Sequence, residues 1–221
     1  MDPSLPNIAT LVVPARKSGE DRARVSRRGD HSVIAVADGA GGVRGGARAA
    51  QFFVDSVASL LEDETSDLGS LQTWTALFRH VDSSLARSAM GETTGVVVVL
   101  GPFGILGVAV GNSQAWLVGP ETMDDLTAGA KPSRLGTGRA RPESFVRMDR
   151  PWISGRTREV LILGTDGLFD ASPQDAILEV LRGRVVHDPR EISRLTSRLV
   201  ELARLPSGAL ADDTTVIVAI P

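Results

Sequence analysis

The chain has 221 residues, of which 42% are hydrophobic and 23% are charged, and these proportions exclude intrinsic disorder and a coiled coil. It contains no cysteine, which excludes disulfides, iron–sulfur clusters and a cysteine nucleophile, so any bound metal must be held by oxygen or imidazole. Its net charge of -3 favours neither nucleic acid nor an anionic membrane as a partner. The length predicts one domain over residues 1–221.

Two stretches bear on location. The first residues carry an acid and two prolines and lack the basic region of a signal peptide, which favours a cytoplasmic location. Residues 93–120 have no charged side chain and are long enough to span a bilayer. Their two β-branched runs, TTGVVVVL and GILGVAV, are separated by GPFG, however, so a β-hairpin is the better prediction than a membrane span.

The first half of the chain shows one strand, two helices and then more strands. Residues 32–37, SVIAVA, are a β-branched apolar run before the glycine cluster DGAGG, which predicts a buried strand ending in a tight loop. Apolar residues at spacings of three and four predict amphipathic helices over 47–61 and 70–89. The hairpin follows, and a further strand is predicted over 114–118.

Residues 119–158 have no sustained period and contain many prolines and glycines, which predicts a long loop or a small irregular insertion. The part from 134 to 158 holds seven arginines and two acids, an excess of five positive charges. Such a run is typical of a solvated loop, and it is also what a basic flap over an anionic substrate requires.

The last quarter of the chain predicts a strand at EVLILGT, helices over 173–182 and 189–203, and a closing strand at TTVIVAI. Strands joined by hairpins and helices that come in pairs do not make a repeating βαβ unit. The predicted fold class is therefore α+β, with layered antiparallel sheets.

Acidic residues stand at the ends of the apolar strands. They are Asp38, Asp166, Asp212 with Asp213, and the pair Glu20 and Asp21. A single aspartate at such a position is most often a turn former. If the strand ends converge, however, the carboxylates repel one another unless they are protonated or neutralised by a cation, and an all-oxygen ligand set favours magnesium or manganese over zinc.

Three segments partly match motifs of other enzyme classes, but the residues around each one do not fit that class. GNSQA has the spacing of the G-x-S-x-G nucleophile elbow, but Ser113 leads into a strand and no histidine is placed as its partner. The glycine cluster lacks the lysine of a P-loop, and Arg44 stands where a dinucleotide fingerprint needs its last glycine. TDGLFD lacks an acid at Gly164, which the aspartyl nucleophile of a haloacid dehalogenase would require.

Six short motifs carry a family resemblance. In chain order they are GED at 19–21, DGAGG at 38–42, TTG at 93–95, GNSQAWL at 111–117, TDGLFD at 165–170 and DDTTVIV at 212–218. This series resembles that of the metal-dependent serine/threonine protein phosphatases (PPM, the protein phosphatase 2C type), in a bacterial-like subtype. The resemblance implies a four-layer αββα sandwich of two antiparallel sheets flanked by paired helices, with residues 119–158 as a flap-like insertion.

The resemblance also implies a site for two Mn²⁺ or Mg²⁺ ions at one end of the sandwich. Asp38 would bridge both ions, and the carbonyl of Gly39 would bind one of them. Asp166 and Asp212 would complete the other, so the three aspartates are the implied catalytic residues. Two such ions lower the pKa of a water molecule that attacks phosphorus, and no protein nucleophile is required.

Three further residues receive implied roles near the N-terminus of the chain. Glu20 and Asp21 match an acidic pair that holds metal-bound water. Arg16, four residues before Glu20, matches the arginine that binds the substrate phosphate.

The chain departs from the family pattern at two positions. Ala40 stands where eukaryotic members often have a histidine. The absence of this histidine is a feature of the bacterial-like subtype. Asn112 stands where an aspartate would hold a third metal together with Asp170, so a third ion would bind weakly here and turnover would fall.

The implied function is a metal-dependent phosphatase that hydrolyses phosphoserine and phosphothreonine in proteins, including targets of a cognate serine/threonine kinase in signalling. Asn112 leaves an alternative open: a catalytically weak or inactive pseudophosphatase that binds phosphoproteins as a regulatory module. Turnover that depends on metal separates the two.

Overall fold

The computed structural model describes residues 6–40, 45–130, 132–148, 159–182 and 189–220. These residues form strands β1 Asn7–Val13, β2 Arg22–Arg28, β3 His31–Ala37, β4 Gly39–Ala40, β5 Glu92–Thr93, β6 Gly95–Gly101, β7 Gly104–Val110, β8 Gln114–Val118, β9 Met123–Asp125, β10 Glu143–Arg147, β11 Val160–Gly164 and β12 Thr214–Ile220. The helices are α1 Gly46–Glu62, α2 Leu71–Ser88, α3 Asp166–Phe169, α4 Gln174–Leu181 and α5 Pro189–Leu202.

Two five-stranded antiparallel sheets form the centre of the molecule. One has the strand order β1-β12-β11-β8-β9 and the other β10-β7-β6-β3-β2. The short strands β4 and β5 pair separately, with Gly39 opposite Thr93. The α+β sandwich with two antiparallel sheets is therefore confirmed.

Strand β3 is apolar throughout because both of its faces are buried. Ile34 and Val36 belong to the core between the two sheets, whereas Val33, Ala35 and Ala37 face the core under α1 and α2. A strand covered on both faces loses the alternation of apolar and polar residues that a half-exposed strand has. The same reasoning explains the apolar runs of β6, β11 and β12.

The outer layers are helices that bury one face each. α1 and α2 cover one sheet, and Phe53 meets Phe78 edge to face with ring centroids 5.2 Å apart. The helices α3, α4 and α5 cover the other sheet, where Trp116 packs against Phe169. The order of layers is helices, sheet, sheet, helices, as predicted.

Three parts of the architecture differ from the sequence-based prediction or add to it. Strands β1 and β2 were not predicted, because they lie at sheet edges and their side chains are partly exposed. The short helix α3 was also not predicted. The segment 119–158, predicted as irregular, contributes the edge strands β9 and β10, and its residues 149–158 lie outside the described residues.

Strand β10 is joined tightly to its sheet through one glycine. Phe145 lies opposite Gly107 on β7. A Cβ atom built on Gly107 would overlap the Phe145 ring, so the ring packs directly on the glycine backbone. Residues 143–147 of the segment are therefore part of the sandwich. Among the described helices, none is long and apolar enough to cross a membrane, and residues 93–120 form strands as predicted.

Candidate active site

The acidic residues at the strand ends converge at one end of the sandwich. Asp38 follows β3, Asp166 begins α3 directly after β11, and Asp212 lies just before β12. The negative charges of Asp166, Asp21 and Asp212 each raise the pKa of Asp38, which places all four carboxyl groups within electrostatic reach of one another. The structure therefore brings these acids to the same end of the sandwich, and their roles as metal ligands stay a prediction.

Asp38 is half-buried, and its backbone is held by the TTG motif. Its carbonyl oxygen accepts hydrogen bonds from the Thr94 amide at 2.8 Å and from the Thr93 hydroxyl at 2.9 Å, and its own amide donates to Thr94 Oγ1 at 3.0 Å. Burial raises the pKa of Asp38 to about 7, and the neighbouring carboxylates contribute to the rise. The positive charge of Arg134 acts in the opposite direction.

Asp21 connects the two sheets. It immediately precedes β2 in one sheet. Its Oδ2 atom accepts hydrogen bonds of 2.8 Å from Thr215 on β12 of the other sheet and from Thr165, which directly follows β11 of that sheet. Asp21 is only 2% exposed, and burial raises its pKa to about 6 despite the two threonine hydroxyls, which lower it. Its Oδ1 atom is buried and has no hydrogen-bond partner among the described residues.

Asn112 contacts the cluster directly. Its side-chain amide donates a hydrogen bond of 2.8 Å to Oδ2 of Asp166. Burial raises the pKa of Asp166, the Asn112 bond lowers it, and the charges of Asp212 and Asp170 raise it again. The amide group therefore offsets part of the repulsion among the acids without adding a negative charge of its own.

Asp213 has a structural role that the sequence analysis missed. Its Oδ1 atom accepts a hydrogen bond from the Ala15 amide at 2.7 Å, and its Oδ2 atom accepts one from the Glu20 amide at 2.5 Å. One buried carboxylate thus holds both ends of the loop that carries Arg16. The signal available in the sequence was the doubled acid at 212–213, of which Asp212 is the exposed member.

A pocket of about 600 Å³ adjoins the cluster. It is lined by Ala15, Arg16, Ser18, Gly19, Glu20, Gly45, Ala47, Arg48, Ala211, Asp212 and Asp213. The structure thus brings together Arg16, Glu20 and Asp212, which the sequence analysis predicted to act together. It adds a second cation, Arg48, which that analysis did not single out.

A second pocket, of about 510 Å³, lies where Asn112 and Arg134 meet. The Arg134 guanidinium is 4.0 Å from the carboxylate of Glu92. Because its charge lowers the pKa of Asp38, Arg134 at the start of the arginine-rich segment lies within electrostatic reach of the acids. The flap itself stays a prediction.

The donor chemistry of the cluster fits a divalent cation. As the side chains stand, no group of three or more histidine or acidic residues in the described ranges is arranged to hold a metal ion. The candidate ligands are nevertheless all oxygen atoms, the carboxylates repel one another, and Oδ1 of Asp21 lacks a partner. A divalent cation would remove the repulsion, and hard oxygen ligands favour Mg²⁺ or Mn²⁺.

The remaining predicted residues are placed as follows. Asp170 ends α3, and its charge acts on Asp166. Gly39 is buried against the first turn of α1, and its predicted carbonyl ligand stays a prediction. Residues 41–42 of the DGAGG motif lie outside the described residues.

Ser113 is 1% exposed, and its hydroxyl is 2.7 Å from that of Thr94, so it is not placed as a nucleophile.

Comparisons with known proteins agree with this fold. No protein-family model matches the chain, and no curated protein matches its sequence. Among solved structures, serine/threonine phosphatase Stp1 from Staphylococcus aureus is 18% identical, with a TM-score of 0.82, over 99% of this chain and 96% of that one. The Mycobacterium tuberculosis serine/threonine phosphatase PstP/Ppp is 23% identical, with a TM-score of 0.77, over 98% of both chains.

A further structure is the catalytic domain of PstP in complex with two manganese ions, which is 24% identical with a TM-score of 0.78 over 98% of both chains. At these identities the similarity establishes the fold. The chain has the fold of the bacterial PPM-type serine/threonine phosphatases, and the resemblance found in the sequence is confirmed at that level.

Proposed function

We propose that the protein is a metal-dependent protein serine/threonine phosphatase. The observation that carries this proposal is the convergence of Asp38, Asp166, Asp212 and Asp21 at one end of a phosphatase fold. Burial and the charges of neighbouring carboxylates raise the pKa of Asp38, Asp21 and Asp166 there. Such a set of like charges destabilises the protein unless a cation binds, so its presence favours a metal centre over a purely structural role. A neighbour of the same fold was solved with two manganese ions.

The residues proposed to hold Mn²⁺ or Mg²⁺ are Asp38, the Gly39 carbonyl, Asp166 and Asp212, with Asp170 for a weaker third ion and Glu20 and Asp21 around them. When bound, the ions would supply a water nucleophile of lowered pKa and would offset charge on the phosphoryl oxygens. Burial of the acids among apolar strands strengthens their electrostatic interaction with a cation.

The protein's own groups would orient the substrate. Arg16 can form two parallel hydrogen bonds with a phosphate, and Asp213 holds the loop that carries it beside Asp212. Asn112 fixes one oxygen of Asp166 by its 2.8 Å hydrogen bond, which limits the rotation of that carboxylate. These contacts keep the phosphate-binding group and the acidic cluster in a constant relative position.

The proposed substrates are phosphoserine and phosphothreonine in proteins that a serine/threonine kinase modifies. The second candidate function is a pseudophosphatase that binds phosphoproteins without turnover. One observation favours it: Asn112 presents its amide nitrogen to Asp166, and it therefore adds no negative charge to the metal region. Arg16 and the pocket around it serve either function equally well.

The deciding experiment is hydrolysis of a phosphothreonine peptide by the purified protein with Mn²⁺, Mg²⁺ or EDTA. We expect phosphate release with metal, none in EDTA, and none from Asp38→Asn. Asp55→Asn on the exposed side of α1 is the matched control and should keep full activity. If the folded protein binds the peptide but releases no phosphate with any metal, the binding module is correct, and Asn112→Asp should then restore turnover.

A further inference from the structure

Arg48 lines the same pocket as Arg16 and Asp212, and the proposed phosphatase reaction gives it no role. It lies in the first turn of α1, where its backbone amide donates to the Gly45 carbonyl. Its side chain is exposed and makes no hydrogen bond or ion pair within the described residues. The guanidinium is therefore available to a ligand in the pocket.

The backbone of Arg48 is fixed relative to Asp38. Two residues before it, Gly46 packs against Gly39 so closely that a Cβ atom built on Gly46 would lie 2.6 Å from the Gly39 carbonyl carbon. No side chain fits between the first turn of α1 and the turn that follows Asp38. Because of this contact, the position of Arg48 beside the acidic cluster is set by packed backbone.

Stability of α1 does not explain an arginine at this position. The first turn of a helix carries a partial positive charge, so a cation there is repelled and an acid is favoured. This first turn contains no acid, and Gly45 supplies no side-chain cap. Alanine or glutamate at position 48 would stabilise the helix more than arginine does, so the helix gains nothing from the charge.

The pocket has room for more than the phosphate that undergoes hydrolysis. Its volume is about 600 Å³, which is within the range of pockets that hold a whole small-molecule ligand. A single phosphate on Arg16 would leave most of this space, together with the Arg48 guanidinium, for the neighbouring part of the substrate. A planar guanidinium pairs best with a carboxylate or a phosphate.

We propose that Arg48 is a specificity-determining residue that binds a second anionic group of the phosphoprotein substrate, beside the phosphate held by Arg16. This inference rests on the proposed function. The second group is a carboxylate or a further phosphate close to the phosphorylated residue. The protein therefore prefers phosphorylation sites in acidic or multiply phosphorylated sequences.

The test compares three phosphothreonine peptides of one length: one with neutral flanking residues, one with glutamates, and one with a second phosphoserine. We measure kcat/KM with Mn²⁺, and the dissociation constant in EDTA by fluorescence anisotropy. The variants are Arg48→Ala, Arg48→Glu and the control Arg79→Ala. Arg79 is also exposed, lies on α2 and does not line the pocket.

The wild type should prefer one or both of the anionic peptides by about tenfold, in turnover and in binding. Arg48→Ala should remove this preference and leave the neutral peptide within twofold, and Arg48→Glu should reverse it. Whichever anionic peptide is preferred identifies the carboxylate or the phosphate as the second group. Arg79→Ala should behave as wild type, and unchanged thermal unfolding of Arg48→Ala excludes a folding defect.

The inference would be overturned if Arg48→Ala kept the full preference for the anionic peptides. It would also be overturned if Arg48→Ala lowered kcat/KM and affinity equally for all three peptides. If no metal supports turnover, the proposed phosphatase function fails separately. The binding measurements in EDTA then still decide whether Arg48 selects anionic flanking groups.

Discussion

Asp38 is destabilising in the metal-free protein, and this cost depends on pH. Its folded pKa of about 7 lies above the ordinary value of 3.8, so the folded state binds a proton more tightly than the unfolded state. The free energy of unfolding therefore falls as pH rises from about 4 to 7, and it stays low above pH 7. Stability from this group is complete only below its unfolded pKa.

We expect Asp38→Asn to raise the free energy of unfolding in EDTA at pH 8 by about 2 kcal/mol, with allowance for partial solvent exposure. The gain should shrink toward zero at pH 4, where the wild-type carboxyl is protonated. Urea unfolding at both pH values measures it, with Asp55→Asn as the control. An equal gain at both pH values would show that the effect is not electrostatic.

Asn112 reduces the repulsion among the acids, because its hydrogen bond lowers the pKa of Asp166. In Asn112→Asp the hydrogen bond to Asp166 is lost and a like charge takes its place, so the pKa of Asp166 should rise. Because position 112 is exposed, we expect a loss of only about 1 kcal/mol in EDTA at pH 8. Mn²⁺ affinity, measured by titration calorimetry, should increase. Tighter binding without the loss of metal-free stability would contradict this account.

At the level of elements, helix α2 holds the loop that follows β9 through one carboxylate. Asp82 is 6% exposed, and it accepts backbone hydrogen bonds from Gly136 and Gly138 on Oδ1 and from Ala140 on Oδ2, at 2.8 to 3.0 Å. This loop begins next to Arg134, whose charge acts on Asp38. The helix therefore positions part of the wall of the pocket that Asn112, Arg134 and Thr137 line.

Asp82→Ala removes the acceptor of three backbone N–H groups, so we expect a loss of about 3 kcal/mol in the free energy of unfolding. Hydrogen exchange at residues 136–140 should accelerate more than in the sheets. Asp67→Ala removes an exposed carboxylate that accepts from the Gly69 amide, and it should cost under about 1 kcal/mol. Equal losses in the two variants would mean that burial of the acceptor has no effect.

The contact between α1 and the turn after Asp38 depends on glycine. Alanine normally stabilises a helix relative to glycine by about 1 kcal/mol. At Gly46, however, the added carbon would clash with the backbone of Gly39, so we expect Gly46→Ala to destabilise the protein by about 2 kcal/mol and to lower kcat. Gly129→Ala is the control, because no atom lies within 4 Å of its added carbon. Thermal unfolding and turnover measure both variants.

The elements that could be predicted from the sequence are those with at least one continuous buried face. β3, β6 and β7 are recognisable because both faces are covered, and α1 because one face is. The edge strands β1 and β2 have no such pattern, since solvent covers part of each. The place of β1 is set by pairing with β12, which is distant in the sequence, and the place of β2 by pairing with the neighbouring strand β3.

The residues of the candidate site likewise divide into those that stand out in the sequence and those that do not. Asp38, Asp166 and Asp212 could be singled out because several acids stand at the ends of apolar strands and lie in motifs that resemble a phosphatase series, although each acid alone is most often a turn former. Asp82 and Arg48 were not, because an acid or an arginine in an amphipathic helix is ordinary. Their roles follow from the loop and the pocket that the folded chain brings to them.

For the whole molecule, the acidic cluster lies where the two sheets meet. Asp21 and Asp38 adjoin strands β2 and β3 of one sheet, whereas Asp166 and Asp212 adjoin β11 and β12 of the other. The hydrogen bonds from Thr165 and Thr215 to Asp21 already connect the two sides. Repulsion among the ionised carboxylates opposes the contact between the two sides at this end. A cation that binds them would hold the sheets together, so its effect should reach the stability of the entire domain.

We therefore expect Mn²⁺ to raise the free energy of unfolding at pH 8 by about 2.7 kcal/mol at a concentration one hundred times its dissociation constant. The effect should weaken toward pH 5, because protons compete for Asp38 and Asp21, whose pKa values are about 7 and 6. Thermal unfolding with Mn²⁺ or EDTA at the two pH values measures it. Asp38→Asn should lose most of the stabilisation and Asp55→Asn none. If Mn²⁺ stabilises Asp38→Asn as much as the wild type, the ion binds elsewhere and the two sheets are not linked through this cluster.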